Sequence, residues 1–316
     1  MKIFPEALLL FFLFSVFPSL KAQPAEGMES LHWSECDTVV VSSAQIRLPA
    51  IVTTPKGEVK NFPVCVLLGG SGPTDKDGTL GPTKFLRDLA QGLAERGIAS
   101  VRYDKRTAVY GVRTAEVSNG RLDYDTEVCE DALAALKLMK EMFPESGEKI
   151  WIVGHSLGAM LAPRVVAQSG GQAKGLVALA APARNLQETL RSQIDYLGSQ
   201  QGMTQMQKDA YVQQLLAGLP KKYLDLDEEY KAVATARGLS VPMLFLQGEN
   251  DYQVTTGDAL LWQFALTAKP NARIIILPKL NHLFAPSEKM AQPTDYVAKE
   301  NKIAAEVLDI IAKFVL

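Results

Sequence analysis

Residues 154–158, with the sequence Gly-His-Ser-Leu-Gly, constrain the fold of this chain more than any other segment. They follow residues 149–153, a mostly apolar run rich in β-branched side chains, and precede residues 159–162, which favour a helix. A strand, a Gly-x-Ser-x-Gly pentapeptide and a helix in this order are typical of a sharp turn that exposes a serine hydroxyl. The flanking glycines let the strand and the helix approach closely. We therefore interpret Ser156 as a candidate nucleophile.

Apolar runs alternate with helical patterns along most of the chain. Strands are predicted at residues 62–68, 98–103, 149–153, 175–180, 241–246 and 272–277, and helices at residues 85–93, 125–142 and 303–314. Residues 39–53 alternate between apolar and polar side chains and predict two antiparallel edge strands. Because strands that alternate with helices form parallel sheets, the predicted fold class is α/β, with a mostly parallel central sheet flanked by helices. We expect one domain over residues 23–316.

Residues 185–238 interrupt this alternation. Gln, Lys, Asp, Leu and Tyr dominate the segment, which has helical periodicity and contains no strand candidate. We predict a helical insertion that forms a lid over the site. A pair of ordinary surface helices is the alternative.

Residues 1–22 have the pattern of a secretory signal peptide. Lys2 precedes an apolar run at residues 7–14, and Ala22 provides a small residue at the expected cleavage point. The apolar run is short for a transmembrane helix, although an uncleaved N-terminal anchor is an alternative. We expect export to the periplasm or secretion, with no stable membrane insertion after cleavage.

Charge and cysteine content narrow the classes of partner. The formal net charge of −2 favours neither nucleic acid nor an anionic membrane surface as a partner. The spacing of Cys36, Cys65 and Cys129 matches no metal site. Cys65 and Cys129 fall in a predicted strand and a predicted helix, which favours buried free thiols, whereas a disulfide through Cys36 stays open.

A serine nucleophile needs a general base, and the chain has three histidines. His32 precedes the predicted sheet, and His155 is adjacent to Ser156, so we expect its side chain to point away from the serine hydroxyl. His282 follows the last predicted strand. Functional groups of α/β sheets gather at the carboxyl ends of strands, and we therefore predict His282 as the base.

Two further groups complete the predicted chemistry. Asp251, which follows the preceding strand, is the predicted partner of the histidine, with Glu249 as the alternative. An oxyanion needs backbone donors, and the N–H of Leu157 is the first. We expect the second from the glycine-rich loop at residues 69–78, with Ser71 preferred over Gly70. This loop lacks the Gly-Lys-Ser/Thr ending of a phosphate-binding loop, so phosphate binding is disfavoured.

These motifs resemble those of the α/β-hydrolase superfamily over nearly all of the mature chain. Within it, the chain is similar to secreted or periplasmic bacterial serine esterases related to dienelactone hydrolases and to prolyl-oligopeptidase-type catalytic domains. The resemblance rests on residues 69–78, 102–106, 154–158, 248–251 and 281–282. The order Ser156, Asp251, His282 is the order of that superfamily. Many relatives have His-Gly in place of Gly69-Gly70 and glycine in place of Thr107, so the oxyanion wall departs from the family pattern.

The resemblance implies an α/β-hydrolase fold and hydrolysis of a carboxylic ester through an acyl-enzyme. It implies no metal and no organic cofactor. Export favours a small acyl ester as the substrate, and a pocket under a modest lid leaves little apolar volume, so we expect a short acyl group. An acyl thioesterase or a serine peptidase would use the same three side chains. A non-catalytic binding protein on this fold would normally lack one of them, and none is missing here.

Overall fold

The computed structural model describes residues 33–57 and 61–316. Its centre is an eight-stranded sheet with the order β1-β2-β4-β3-β5-β6-β7-β8. The strands are β1 (Trp33–Val41), β2 (Arg47–Pro55), β3 (Val64–Leu68), β4 (Ala99–Tyr103), β5 (Ile150–His155), β6 (Gly175–Leu179), β7 (Met243–Gly248) and β8 (Ala272–Leu277). β2 is antiparallel to β1 and to β4, and the remaining neighbours are parallel. The predicted α/β class and mostly parallel sheet are confirmed. The predicted signal peptide and His32 lie outside the described residues.

Helices cover both faces of the sheet. They are α1 (Phe85–Ala94), α2 (Glu130–Met142), α3 (Leu157–Gln168), α4 (Leu186–Gln200), α5 (Gln205–Leu216), α6 (Lys221–Glu229), α7 (Ala232–Gly238), α8 (Thr256–Ala265) and α9 (Ala305–Val315). Successive strand side chains point to opposite faces, so Val64 and Val66 pack in one core whereas Cys65 and Leu67 pack in the other. This burial on both faces explains why β3 is apolar at every position.

The helix predicted over residues 125–142 begins differently from the expectation. Residues Asp125–Cys129 form a π-helical turn, and regular α-helix begins at Glu130. Reciprocal hydrogen bonds between Asp123 and Thr126, both 2.9 Å long, hold the start of this turn. Glu127 lies in the middle of the turn and is buried.

The segment predicted as a helical insertion is helical, and it divides into two parts. α4 and α5 pack on each other around a small apolar cluster of their own, formed by Leu190, Ile194, Val212 and Leu216. α6 and α7 instead contribute to a main core through Tyr223, Tyr230, Ala232 and Ala236. The Tyr230 hydroxyl also donates a hydrogen bond of 3.0 Å to the carbonyl of Met160 in α3. α4 and α5 therefore share an apolar cluster of their own, although α4 also reaches a main core through Leu197.

The cysteines agree with the prediction of buried free thiols. Cys65 and Cys129 are buried free thiols, and Cys36 is an exposed free thiol on β1. Burial raises the pKa of both buried thiols far above the usual range, so they remain protonated. Within residues 33–57 and 61–316, no three His, Cys, Asp or Glu side chains are grouped as metal ligands would be. The same residues include no helix with the length and apolar character that crossing a membrane requires.

Candidate active site

Ser156 occupies the sharp turn that its motif predicts. It lies between β5 and α3 with φ 54° and ψ −118°, in a region that residues with side chains rarely adopt. Its N–H donates to the carbonyl of Leu179 in β6 (2.9 Å), and its carbonyl accepts from the N–H of Met160 (3.0 Å). Hydrogen bonds to a strand and a helix therefore hold the strained serine in place.

The two motif glycines are required by close contacts. A Cβ on Gly154 would lie 2.2 Å from the carbonyl oxygen of Gly158. A Cβ on Gly158 would lie 2.6 Å from the carbonyl oxygen of Gly69. The first contact confirms the expected approach of strand and helix. The second shows that Gly158 also brings the glycine-rich loop against the start of α3.

Asp251 and His282 contact each other as the sequence predicts. His282 Nδ1 lies 2.7 Å from Asp251 Oδ2, and the two side chains are 4% and 0% exposed. The other oxygen of Asp251 accepts hydrogen bonds from the N–H groups of Gln253 (2.8 Å) and Val254 (3.1 Å). Glu249 is exposed and accepts from the N–H of Lys279 (3.2 Å) instead. The geometry therefore favours Asp251 over Glu249 as the partner of the histidine.

His155 supports the loop that carries His282. Its Nε2 lies 2.9 Å from the carbonyl oxygen of His282, and the two ring centroids are 4.6 Å apart. Burial, aided by the charge of His282, lowers the pKa of His155 to about 3. His155 is therefore neutral at physiological pH and can donate its Nε2 proton to this carbonyl. The sequence did not predict this role, since adjacency to Ser156 carries no information about a loop that is distant in sequence.

One cavity of about 380 Å³ brings most of the predicted residues together. Ser156, His282, Leu157, Gly70 and Ser71 line it, whereas Asp251 lies behind His282. α4, α5 and the residues after them contribute an apolar wall of Leu186, Leu190, Leu215 and Leu219. The volume is within the range of small-molecule sites.

The predicted oxyanion donors have free N–H groups. In the described part of the chain, the N–H groups of Gly70, Ser71 and Leu157 have no hydrogen-bond acceptor. Leu157 opens α3, where the helix dipole favours negative charge. A Cβ on Gly70 would lie 3.4 Å from the Cβ of Ser156, so the glycine-rich loop passes directly beside the serine.

Lys105 and Glu127 are site residues that the sequence did not single out individually. Lys105 Nζ donates to the carbonyl oxygen of Gly70 (3.0 Å) and forms an ion pair with Glu127. The N–H of Lys105 also donates to the carbonyl of Thr74 in the same loop (3.0 Å). For Lys105, the sequence signal was a cation at the carboxyl end of a predicted strand. Glu127 had none, because it belongs to a helix whose face the sequence alone leaves open.

The chain is similar to known proteins in sequence and in fold. Esterase EstD of Thermotoga maritima is 36% identical over 280 residues, which is 85% of this chain and 65% of EstD. The chain therefore spans just under two thirds of the length of that relative. The solved esterase Pf2001 of Pyrococcus furiosus has a TM-score of 0.61 at 15% identity, with 90% of each chain covered. Dipeptidyl peptidase 4 of Porphyromonas gingivalis has a TM-score of 0.57 at 17% identity, with 90% of this chain and 35% of that chain covered.

At these identities the solved structures bear on the fold alone, and they confirm the α/β-hydrolase fold. The profile of the prolyl oligopeptidase family matches residues 87–302, well over half of the chain. Together with the identity to EstD, this match shows that the chain belongs to the prolyl oligopeptidase family.

Proposed function

We propose that this protein is a serine hydrolase that cleaves carboxylic esters through an acyl-enzyme. The observation that carries the proposal is the buried hydrogen bond between His282 and Asp251, beside a serine held at φ 54° in the same cavity. A carboxylate, an imidazole and a strained serine in this chain order suit nucleophilic acyl transfer. The relatives EstD and Pf2001 are themselves named esterases.

Acylation uses each of these groups once. The Ser156 hydroxyl oxygen attacks the ester carbonyl carbon, while its proton moves to Nε2 of His282. Asp251 stabilises the resulting imidazolium through Nδ1–H. The oxyanion accepts hydrogen bonds from the N–H of Leu157 and from the glycine-rich loop. When the tetrahedral intermediate collapses, the alcohol leaves with the proton from His282, and the acyl group stays on Ser156.

Deacylation repeats the sequence with water. The water oxygen attacks the acyl carbon, and its proton moves to His282. The second oxyanion uses the same donors. Collapse releases the carboxylic acid and returns the proton to Ser156, which restores the free enzyme.

The apolar wall from α4 and α5 supports a short acyl group and a lid role for these helices. A cavity of about 380 Å³ offers limited apolar volume. Residues 1–22 support export, which would separate the enzyme from most intracellular acyl-CoA. A peptidase is the second candidate, because the family and the solved dipeptidyl peptidase share this fold.

The test uses the full chain and a Ser156→Ala variant. We expect the variant to lose on the order of 10⁴ to 10⁶ in turnover of p-nitrophenyl butyrate and to lose labelling by a fluorophosphonate probe. Ser169→Ala is the matched control, because Ser169 follows the other end of the same helix and bonds only to the nearby backbone in the described residues. We expect it to keep both activities.

Two results would contradict the proposal. Ser156→Ala could retain more than about a tenth of the wild-type rate, which is far above the losses seen for nucleophiles. Alternatively, a peptide anilide or an acyl-CoA could turn over faster than every ester at the same pH. A faster peptide anilide would favour a peptidase, and a faster acyl-CoA would favour a thioesterase, each with the same catalytic residues.

A further inference from the structure

A buried ion pair lies beside the glycine-rich loop and has no role in the steps above. Lys105 is 4% exposed and Glu127 is 5% exposed, and no bulk solvent separates them. Burying two charges is costly, so such a pair contributes little net stability. Both residues belong to segments at the edge of the cavity, and Glu127 lines it. A pair that adds little stability at the edge of the cavity points to a role in the chemistry.

The hydrogen bond from Lys105 to Gly70 constrains the whole peptide group and not only its carbonyl. The carbonyl of Gly70 and the N–H of Ser71 belong to the same planar peptide group. This peptide is trans, so its C=O and N–H point in opposite directions. The bond from Lys105 Nζ to the Gly70 oxygen therefore fixes the N–H of Ser71 on the side away from Lys105. That N–H has no acceptor in the described part of the chain, and Ser71 lines the cavity.

The loop needs such a constraint. Gly69, Gly70 and Gly72 have no side chains to restrict their backbone, and Gly72 has φ 82°. A peptide between flexible residues can rotate and turn its N–H away from the serine. The ammonium of Lys105 opposes that rotation. It also polarises the peptide group, which makes the N–H on the far side a stronger donor.

The ion pair with Glu127 holds the ammonium of Lys105 in place. Glu127 lies in the π-helical turn Asp125–Cys129, and such turns are frequent at functional sites. Tyr223 of α6 lines the same cavity as Glu127. Burial and the Glu127 charge raise the pKa of Tyr223 well above its usual range, so the phenol stays protonated beside this carboxylate. Glu127 thus ties Lys105 to the π-helical turn that leads into α2.

We propose that Lys105, held by Glu127, is a positioning residue that orients and polarises the N–H of Ser71 toward the oxyanion. The proposal assigns the second oxyanion donor to Ser71 rather than to Gly70. It rests on the proposed function, because an oxyanion forms only if Ser156 attacks an acyl carbon.

The test compares the full chain with a Lys105→Met/Glu127→Gln double variant, which removes both charges and leaves neither unpaired. Lost orientation of one donor should lower kcat for p-nitrophenyl butyrate on the order of 10²-fold. KM should change less than about threefold, because the ground-state carbonyl gains little from the donor. The Ki of a trifluoromethyl ketone, which binds as a tetrahedral oxyanion, should weaken in proportion to kcat/KM.

Lys269→Met is the matched control. Lys269 Nζ also donates to a backbone carbonyl, that of Leu239 (3.0 Å), but Lys269 does not line the cavity. We expect this variant to keep kcat, KM and Ki. If the double variant fails to fold, Glu127→Gln alone, which keeps the bond from Lys105 to Gly70, should show a smaller fall in kcat with the same KM.

The outcomes separate the two proposals. A folded double variant with unchanged kcat and Ki would overturn the positioning role, as would a rise in KM without a fall in kcat. Glu127→Gln with wild-type kcat would do the same if the double variant does not fold. Failure of the wild-type protein to hydrolyse any ester or to react with the fluorophosphonate would instead refute the proposed function.

Discussion

The Asp251 carboxylate accepts hydrogen bonds on both oxygens, and a substitution that removes its charge tests its role. Oδ1 accepts two backbone N–H groups and Oδ2 accepts from His282 and from Gln247 (3.1 Å). Asp251→Asn retains an oxygen for the backbone donors, so we expect a folded protein. It loses the negative charge beside the imidazolium, so kcat on p-nitrophenyl butyrate should fall on the order of 10⁴-fold.

The control for this prediction is Glu249→Gln. Glu249 is exposed and bonds to the backbone of Lys279, so we expect kcat within about twofold of wild type, the range of an ordinary surface change. Thermal unfolding of both variants would verify that they are folded. The opposite pattern, with Glu249→Gln inactive and Asp251→Asn active, would transfer the acid role to Glu249.

The lowered pKa of His155 predicts that the protein loses stability in acid. Its pKa in the folded protein is about 3, below the value of about 6.5 for an exposed histidine. Between these values the unfolded chain binds one more proton, so the free energy of unfolding falls as the pH falls from 6.5 toward 3. From pH 7 to pH 5 this single group should remove about 2 kcal/mol.

Urea unfolding at the two pH values measures this loss. His155→Gln keeps a donor for the His282 carbonyl but does not titrate, so its stability should fall by about 2 kcal/mol less than that of wild type between pH 7 and pH 5. All other titrating groups are common to both proteins and cancel in the comparison. Equal losses in the two proteins would show that His155 does not remain neutral in the folded state.

Single residues also show how far sequence reasoning reaches. The close contact of Gly154 with Gly158 was predictable because it arises within a local turn that the pentapeptide itself defines. The contact of His155 with the His282 loop was not, and neither was the bond from Lys105 to Gly70. Both join segments that are distant along the chain, so they depend on how the strands are ordered in the sheet.

Among the structural elements, the helices between β6 and β7 yield the clearest prediction. α4 and α5 have their own apolar cluster and contribute Leu197 to the edge of a main core, so replacing residues 187–218 with a short Gly/Ser linker should leave a folded protein of somewhat lower stability. The same change removes Leu190 and Leu215 from the cavity wall. We expect KM for p-nitrophenyl butyrate to rise and the preference among acyl chains to weaken, as measured on an acetate-to-palmitate series.

A longer replacement provides the contrast. Replacing residues 187–238 would also remove Tyr230 and Ala236 from the main core, and we expect that variant not to fold. If the shorter replacement leaves both rate and selectivity unchanged, α4 and α5 have no lid role. If the longer one folds normally, the division of the insertion into two parts is wrong.

Most strands and helices were predictable from the sequence. The exceptions depend on backbone geometry within one turn or on tertiary packing. Runs such as Val64–Leu68 are apolar at every position, as expected of a short strand buried on both faces. The π-helical turn at Asp125–Cys129 was not predicted, because apolar spacing over one turn does not distinguish a π-helix from an α-helix. The division of residues 185–238 also depends on tertiary packing, since both parts have the same helical periodicity.

In the whole molecule, the parallel sheet explains why the site residues meet. Lys105, Ser156, Asp251 and His282 each follow the carboxyl end of a strand, namely β4, β5, β7 and β8. The glycine-rich loop follows β3 in the same way. Parallel strands direct these ends to one edge, so groups from five separate segments meet in or directly behind the wall of one cavity. The sequence predicts this convergence, whereas the volume of the cavity follows from the packed structure alone.

That volume sets the final prediction, which concerns acyl chain length. Each methylene buried in an apolar site contributes about 0.8 kcal/mol, and about 1.4 kcal/mol corresponds to a factor of ten in rate. Extending p-nitrophenyl acetate to the butyrate ester should therefore raise kcat/KM on the order of tenfold while the cavity of about 380 Å³ has room. The palmitate ester should fall below the butyrate ester, because most of its chain would remain in water. Initial rates on the three esters, with one leaving group and one pH, measure the trend directly. A palmitate ester that turns over faster than both shorter esters would show that α4 and α5 enclose a longer channel than this cavity.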